Sequence, residues 1–404
     1  MAFTPYNETQ LALQESFNKD FLRLKEKVSL MGSYGRILAN DIVAKISSPR
    51  FPTSSMDGYA IKYSDQKLEK LKITKILPAG SKREQIVESG ECIKTFTGSL
   101  MSEGSDTLVP IENVEVKGDY IYIKSEVPFG FAVRPVGENY KEGEVLITKG
   151  TKIGYCEIGM FAELGIASVE VISAPRLGVI ATGSEIVDIG EPLLNDSQIR
   201  SSNHVLLANL ARHWGAEPIL FGIVKDDKEA IRQKIKEALI HCDIVVTTGG
   251  VSVGDFDYVR DIINEYGAKP LVNGAAIKPG RHVRILKFGE KYLCSYPGFP
   301  YSAAVTFRLY SVPIIRHYLG LSTEIEYSYG MLEEAYKRKT NFSEYVSCNI
   351  NDNSGTVKID FDSKKEGSSA ILNNLLSGSP LLFVPDTLSG YKKGERVPYL
   401  KMIP

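Results

Sequence analysis

The sequence predicts a multidomain protein of mixed α/β and β class. It would combine a doubly wound α/β domain, a mostly β domain, a small mixed linker domain and a C-terminal β-barrel or sandwich. Three observations predict this. Strand and helix patterns alternate from Pro175 to Leu319; residues 44–145 hold short β-like runs split by Gly and Pro; and residues 325–404 lose the helical period and regain short strands. A chain of 404 residues exceeds what one hydrophobic core organises, and implies about two to four domains.

Composition narrows the class of function. Charged residues make up 24% and hydrophobic residues 43%, the profile of a soluble globular protein. The net charge of −1 gives no basic excess to recruit nucleic acid. No apolar run approaches a membrane span, and the N-terminus MAFTPYNETQ lacks the form of a signal peptide. The five cysteines are scattered without a CxxC pair, which argues against a zinc ribbon or a disulfide framework. A reducing cytoplasm is the expected location.

Taken in order, residues 7–30 carry Leu11, Phe17, Phe21, Leu22 and Leu24 among polar positions, an amphipathic helix pattern. A shorter segment starts at Tyr34–Ala39. Leu71–Leu77 and Tyr120–Ile123 are the clearest β runs of the following unit. Residues 151–172 read as a helix and then a strand. Leu177–Ala181 is a strand; 202–214 is a helix beginning near the capping types Ser201-Ser202-Asn203. The strand Pro218–Val224 is followed by Asp226-Asp227 and a helix over 228–241, with Ile231, Ile235, Ala238 and Leu239 on one face. Trp214, the single tryptophan, is expected in the core at a helix end. Strands Val283–Phe288 and Tyr292–Ser295 and a helix from Tyr301 to Leu319 complete the α/β layer. Short strands at 357–359, 380–384 and 397–400 end the chain.

The most informative stretch is IVVTTGGVSVGDFDY, residues 244–258. A β-branched strand runs into Gly249, Gly250, Ser252, Gly254, Asp255 and Asp257, and a helix pattern with Tyr258, Val259, Ile262 and Ile263 follows. Such a turn offers backbone N–H groups and a helix start to an anion. Its aspartates would repel a phosphate unless a divalent cation lay between them. An ordinary strand-to-helix turn capped by Asp explains the same residues. Thr182-Gly183-Ser184-Glu185 ends the first α/β strand on the ligand side of the sheet. Ile277-Lys278-Pro279-Gly280-Arg281 sets two cations around a rigid turn, suited to an oxyanion. Tyr296-Pro297-Gly298-Phe299-Pro300 opens the last helix. In the β-rich part, FPTSSMDGYA (51–60) and TFTG (95–98) are polar turns around Asp57 and Thr97.

In this order, SSMDGYA, FTGS, ATGSEI, TTGGVSVGDFDY, KPG and PGFP resemble the MoeA family of molybdopterin molybdenumtransferases over nearly the whole chain. That resemblance implies four domains, with 25–43 and 144–174 as the linker domain and 44–143 as the β-rich domain. Residues 5–24 and 175–320 would form a MogA-like molybdopterin-binding domain, and 321–404 the C-terminal β-barrel. It implies insertion of molybdate into adenylylated molybdopterin with hydrolysis of the adenylate and release of AMP. Mg²⁺ is the expected cation, a homodimer the expected assembly, and a MogA-type adenylyltransferase and apo-molybdoenzymes the transient partners; no nucleic acid or membrane partner is expected. Asp57, Glu185, Asp226 and Asp257 fall on the family's functional acids, the last three as metal ligands. Thr97, Gly249, Gly250, Ser252, Gly254, Lys278, Arg281, Pro297, Pro300 and Ser368 fall on its substrate-binding positions. Each acid has a plainer rival role; Asp226 and Asp257 could be helix caps, and Lys278 a solvated lysine.

The chain also departs from the pattern. Arg281 replaces a Lys, KPGRH stands for KPGKP and YPGFP for LPGNP. Gly137-Glu138-Asn139 stands for GED, Gly274 replaces a second Lys, and no arginine lies at Asn341–Tyr345. These changes gather at the molybdate end and spare the phosphate loop. Two alternatives follow from them: a non-catalytic molybdopterin carrier or scaffold, and a tungstate-using paralogue. The upstream adenylyltransferase step is a third reading, disfavoured by the additional domains.

Overall fold

The computed structural model describes residues 3–81, 86–249, 267–353, 355–365 and 369–403. The chain forms two compact units. One comprises Met1–Val28, Gly35–Ile37 and Glu170–Pro404, the other Ser29–Tyr34 and Leu38–Val169.

The larger unit contains a six-stranded sheet. Its order is Glu217–Val224, Arg176–Thr182, Ile244–Thr248, Lys291–Tyr296, Arg284–Phe288, Lys269–Asn273. The first four strands are parallel and the last two antiparallel, so the expected mostly parallel layer carries an antiparallel edge. The β-branched run Ile244–Thr248 is buried throughout because both faces of a parallel strand are covered. On one face the helix Lys228–His241 lays Ile231, Ile235, Ala238 and Leu239 against Ile180, Val245 and Leu293. These positions recur with the helical period, and burying each of the larger side chains is worth roughly 1.5–3 kcal/mol.

The final α/β helix runs as Pro300–Thr306, a π turn at Phe307–Ser311, and Val312–Leu319. The π turn precedes Pro313, which has no N–H to return to the preceding helical turn. Gly320, at φ 74, ends the helix in the left-handed conformation.

The expected C-terminal β domain is a seven-stranded sheet in the same unit, around Leu332, Cys348, Ile359, Leu382, Val384, Val397 and Tyr399. One edge strand, Ile277–Lys278, comes from the KPG turn and pairs in parallel with Ser343–Ser347. The KPG turn is thereby built into the C-terminal sheet.

In the smaller unit, Gly58–Ile61, Leu71–Leu77, Glu91–Thr95, Thr107–Pro110, Val114–Lys117 and Tyr120–Ile123 form a six-stranded mixed sheet. Its core is Tyr59, Ile61, Leu71, Cys92, Val109, Val114, Ile121 and Val127.

Two expectations are corrected. Residues 7–30 are not one helix: the helix spans Tyr6–Glu15, and Lys25–Ser29 is a strand. The Asn18 carboxamide accepts the Asp20 N–H at 3.0 Å, a local turn that competes with helix continuation. The helix Asn203–His213 begins where expected, but no side chain caps it; Asn203 is turned elsewhere, as described below.

Candidate functional site

The parallel strands end together. Register places Ala181 beside Thr248, Thr182 beside Val224 and Thr248 beside Tyr296. Their following turns are tied to one another: the Thr182 hydroxyl donates to Thr248 O at 3.2 Å, and Gly249 N–H donates to Tyr296 O at 3.1 Å. Gly249 has φ 87, and a Cβ there would collide with the Thr182 carbonyl. Only glycine fits. Gly250, Ser252, Gly254 and Asp257 lie outside the described residues, as does Ser368.

The acids of this edge are placed individually. Asp226 is not the helix cap. Asp227 is, accepting the Ala230 N–H at 2.7 Å, while Asp226 Oδ2 accepts the Ser184 N–H at 2.9 Å. In return Asp226 N–H donates to Ser184 Oγ at 3.2 Å, which locks the turns after two neighbouring strands. Glu185 is exposed and folds its carboxylate over Gly183, occupying the space a Cβ there would need. Carboxylate oxygens of this kind suit a hard divalent cation. Among the described residues, no group of three acidic, histidine or cysteine side chains closes around one point.

Asn203 belongs to this edge and was not singled out as a site residue from the sequence. It is buried, donates through Nδ2 to Gly298 O at 2.7 Å, and leaves Oδ1 without a partner among the described residues. Sequence showed it only as a capping residue type.

A cavity of about 1010 Å³ lies beside the KPG and YPGFP turns, within the larger unit. It draws Lys278 and Arg281 from the KPG turn, Pro297 and Phe299 from the next, and Lys339, Lys364 and Lys365 from segments that connect the C-terminal strands. The only acids in its wall among the described residues are Glu334 and Glu344, so cations outnumber acids. Pro300 stands next to it as the first residue of the buried helix. That helix is keyed to the C-terminal sheet by Tyr301, whose hydroxyl donates to Tyr345 O at 2.9 Å and accepts Ser347 N–H at 2.8 Å.

Glu344 is 1% exposed and well satisfied. Its carboxylate accepts from the Tyr336 hydroxyl at 2.9 Å, the Thr340 hydroxyl at 2.8 Å and Lys339 N–H at 3.0 Å, with Lys278 Nζ 4.0 Å away. Lys278 is exposed at the cavity wall, with this buried carboxylate at the edge of ion-pair distance. Arg281 stacks over Phe3 with its guanidinium carbon 5.7 Å from the ring centroid, and donates from Nε to His282 Nε2 at 3.1 Å. Burial first, then Arg281 and Arg284, hold the His282 pKa below its ordinary value, which keeps that ring nitrogen an acceptor. Glu344, Lys339, Lys364 and Lys365 were missed in the sequence, although only Glu366 separates Lys364-Lys365 from the GSS stretch.

In the smaller unit the SSMDGYA and TFTGS turns are stitched together. Gly98 N–H donates to Ser54 O at 2.8 Å and Ser54 N–H to Ser99 O at 2.9 Å. Asp57 Oδ1 accepts both the N–H and the hydroxyl of Thr97, each at 2.8 Å. These bonds, with Lys94 nearby, hold the Asp57 pKa below the usual carboxylate range. Gly58 next to it has no room for a side chain against the Val109 carbonyl.

Comparison with known proteins adds the following. Residues 5–165 match the family described as the MoeA N-terminal region (domain I and II), and 178–317 the family described as a probable molybdopterin binding domain. A molybdopterin molybdenumtransferase of Staphylococcus aureus is 31% identical over 394 residues, covering 96% of this chain and 93% of that protein. One from a Nostoc species is 35% identical over 306 residues, covering 74% of this chain and 70% of its own. A crystal structure of the molybdopterin biosynthesis MoeA protein from Pyrococcus horikoshii superposes with a TM-score of 0.82 at 30% identity, covering 99% of this chain and 100% of that one.

Proposed function

Because this chain belongs to the molybdopterin molybdenumtransferase family, we propose that it inserts molybdate into adenylylated molybdopterin in molybdenum-cofactor biosynthesis. A water oxygen bonds to phosphorus as the bridging P–O bond breaks and AMP leaves; the two dithiolene sulfurs then bond to molybdenum as Mo–O bonds break and the displaced oxygen leaves as water with the thiol protons. The observation that carries this reading is the cavity: Lys278, Arg281, Lys339, Lys364 and Lys365 face Glu334 and Glu344, a charge balance that suits an oxyanion and not a neutral ligand.

The chain's residues divide the work. The sheet edge at Gly249 approaches the pyrophosphate with backbone, as glycine permits. Glu185 and Asp226, with Asp257, would hold Mg²⁺, which supplies charge neutralisation at the bridge. Among the described residues Asp226 engages only Oδ2, through Ser184 N–H, and Oδ1 would serve the cation. Asp57, kept ionised by Thr97, is the acid of the β-rich domain. Lys278 would meet the oxyanion at the cavity wall, with Glu344 4.0 Å from its ammonium. We further propose a homodimer, the four-domain division given by the motifs, and a cytoplasmic location. Among the described residues no helix is long and apolar enough to cross a membrane.

The test is AMP release from adenylylated molybdopterin by the purified chain with Mg²⁺, with and without molybdate or tungstate. Release that depends on molybdate is expected, and dependence on tungstate alone would reassign the metal. Tight binding of the substrate with no release under any oxyanion would replace the transferase reading with a carrier.

A further inference from the structure

We propose that Lys364 is an oxyanion-binding residue of the cavity, donating to a tetrahedral dianion alongside Lys278. The inference rests on the reading of this cavity as the molybdate site. Lys364 lines the cavity, and its ammonium is held by two uncharged acceptors: Asn374 O at 3.2 Å and the Ser379 hydroxyl. An ammonium has three donors, so one remains for a ligand. Lys278, by contrast, lies 4.0 Å from the Glu344 carboxylate; for Lys364 no carboxylate stands at ion-pair distance among the described residues.

The ammonium is also fixed in place. Buried Asn374 clamps the adjoining backbone, accepting Lys365 N–H at 2.9 Å and donating to Lys365 O at 2.8 Å, and Ser347 donates its hydroxyl to Asn374 O. A partly desolvated cation held only by neutral acceptors is an incomplete charge pair, and an anion completes it. Its burial pulls the pKa down, and Cys348 and Asp360 oppose that shift only in part. The guanidinium of Arg338 does not compete for this role. Arg338 spends its guanidinium on the carbonyls of Leu388, Thr340 and Phe342. Lys364 thus supplies the cavity with a cation from the segment after the strand Thr356–Asp360.

The experiment measures molybdate binding by calorimetry and molybdate KM in AMP release, using the full chain and the variants Lys364→Met, Lys364→Arg and Lys278→Met. Losing one charge-assisted donor should weaken molybdate by about tenfold or more in Lys364→Met. The KM for adenylylated molybdopterin should stay within about twofold, and Lys364→Arg should recover most of the loss. Wild-type molybdate affinity in Lys364→Met, with loss in Lys278→Met, overturns the role of Lys364 and leaves the function standing. Equal loss in the Met and Arg variants, with a lowered melting temperature, makes Lys364 structural and also overturns it. A wild-type chain that neither binds molybdate nor depends on it sinks the functional reading itself.

Discussion

Both Thr97 donors converge on Asp57 Oδ1, and Oδ2 makes no hydrogen bond among the described residues. An exposed acid is thus kept ionised and oriented at the same time. The Thr97 bonds are present above the ordinary carboxylate range and are lost as pH falls through the depressed pKa of Asp57. Thr97→Val removes the hydroxyl and keeps the N–H, so the Asp57 pKa should rise part of the way to its ordinary value. Carboxylate carbon shifts followed against pH by NMR measure this directly; an unmoved pKa would dismiss the hydroxyl as a cause. The Asn139 departure has a local reason at the same scale. Its amide donates to Glu163 Oε1 at 2.9 Å, a place where a second carboxylate would face the first. The family resemblance singled out Asp57 and Thr97 one by one, and their bond to each other was not legible in the sequence. It did not reveal Asn203, whose partner Gly298 stands 95 residues away.

At the scale of elements, the adjacent acids Asp226 and Asp227 divide two duties that their sequence cannot separate. Asp227 caps the helix Lys228–His241, and Asp226 ties Ser184 across to the neighbouring turn. Asp227→Ala should cost about 1 kcal/mol of stability and little activity. Asp226→Asn keeps an oxygen for the Ser184 N–H and should melt as the wild type, yet lose most AMP release. Thermal melts and rates on the two variants check the division, and equal behaviour of both would refute it. The elements themselves were mostly legible. Buried strands announce themselves by β-branched runs, and Leu71–Leu77 and Tyr120–Ile123 have the bounds that pattern gives. The overlong helix at 7–30 arose from Leu22 and Leu24, which are 85% and 75% exposed and belong to no buried face. Apolar periodicity marks a helix only where something packs on it. The π turn at Phe307–Ser311 left no periodic signature because nearly every residue of that helix is buried.

Over the whole molecule, the cavity depends on pairing that sequence order conceals. Ile277–Lys278 joins a sheet whose next strand begins at Ser343, and that single pairing brings Lys278 to Glu344. The chain ends are fastened in the same larger unit. Near the start, Gln14 Nε2 donates to Thr323 O at 2.9 Å and Thr9 shares a 2.9 Å hydrogen bond with Tyr310. Near the end, Trp214 Nε1 donates to Met402 O at 3.0 Å and Arg308 Nε to Lys401 O at 2.8 Å, with the Arg308 guanidinium 4.5 Å over the indole. The last residues are therefore a strap across a buried tryptophan and arginine. Ending the chain at Leu400 strands both donors, and an unsatisfied buried donor costs about 1–3 kcal/mol. The truncated protein should melt several degrees lower, and Trp214, as the only tryptophan, should shift its emission to the red as water reaches the indole. Unchanged emission and an unchanged melt would mean that the strap contributes no stability. A red shift alone, with the melt preserved, would mean that water replaces Met402 O and Lys401 O at no net cost.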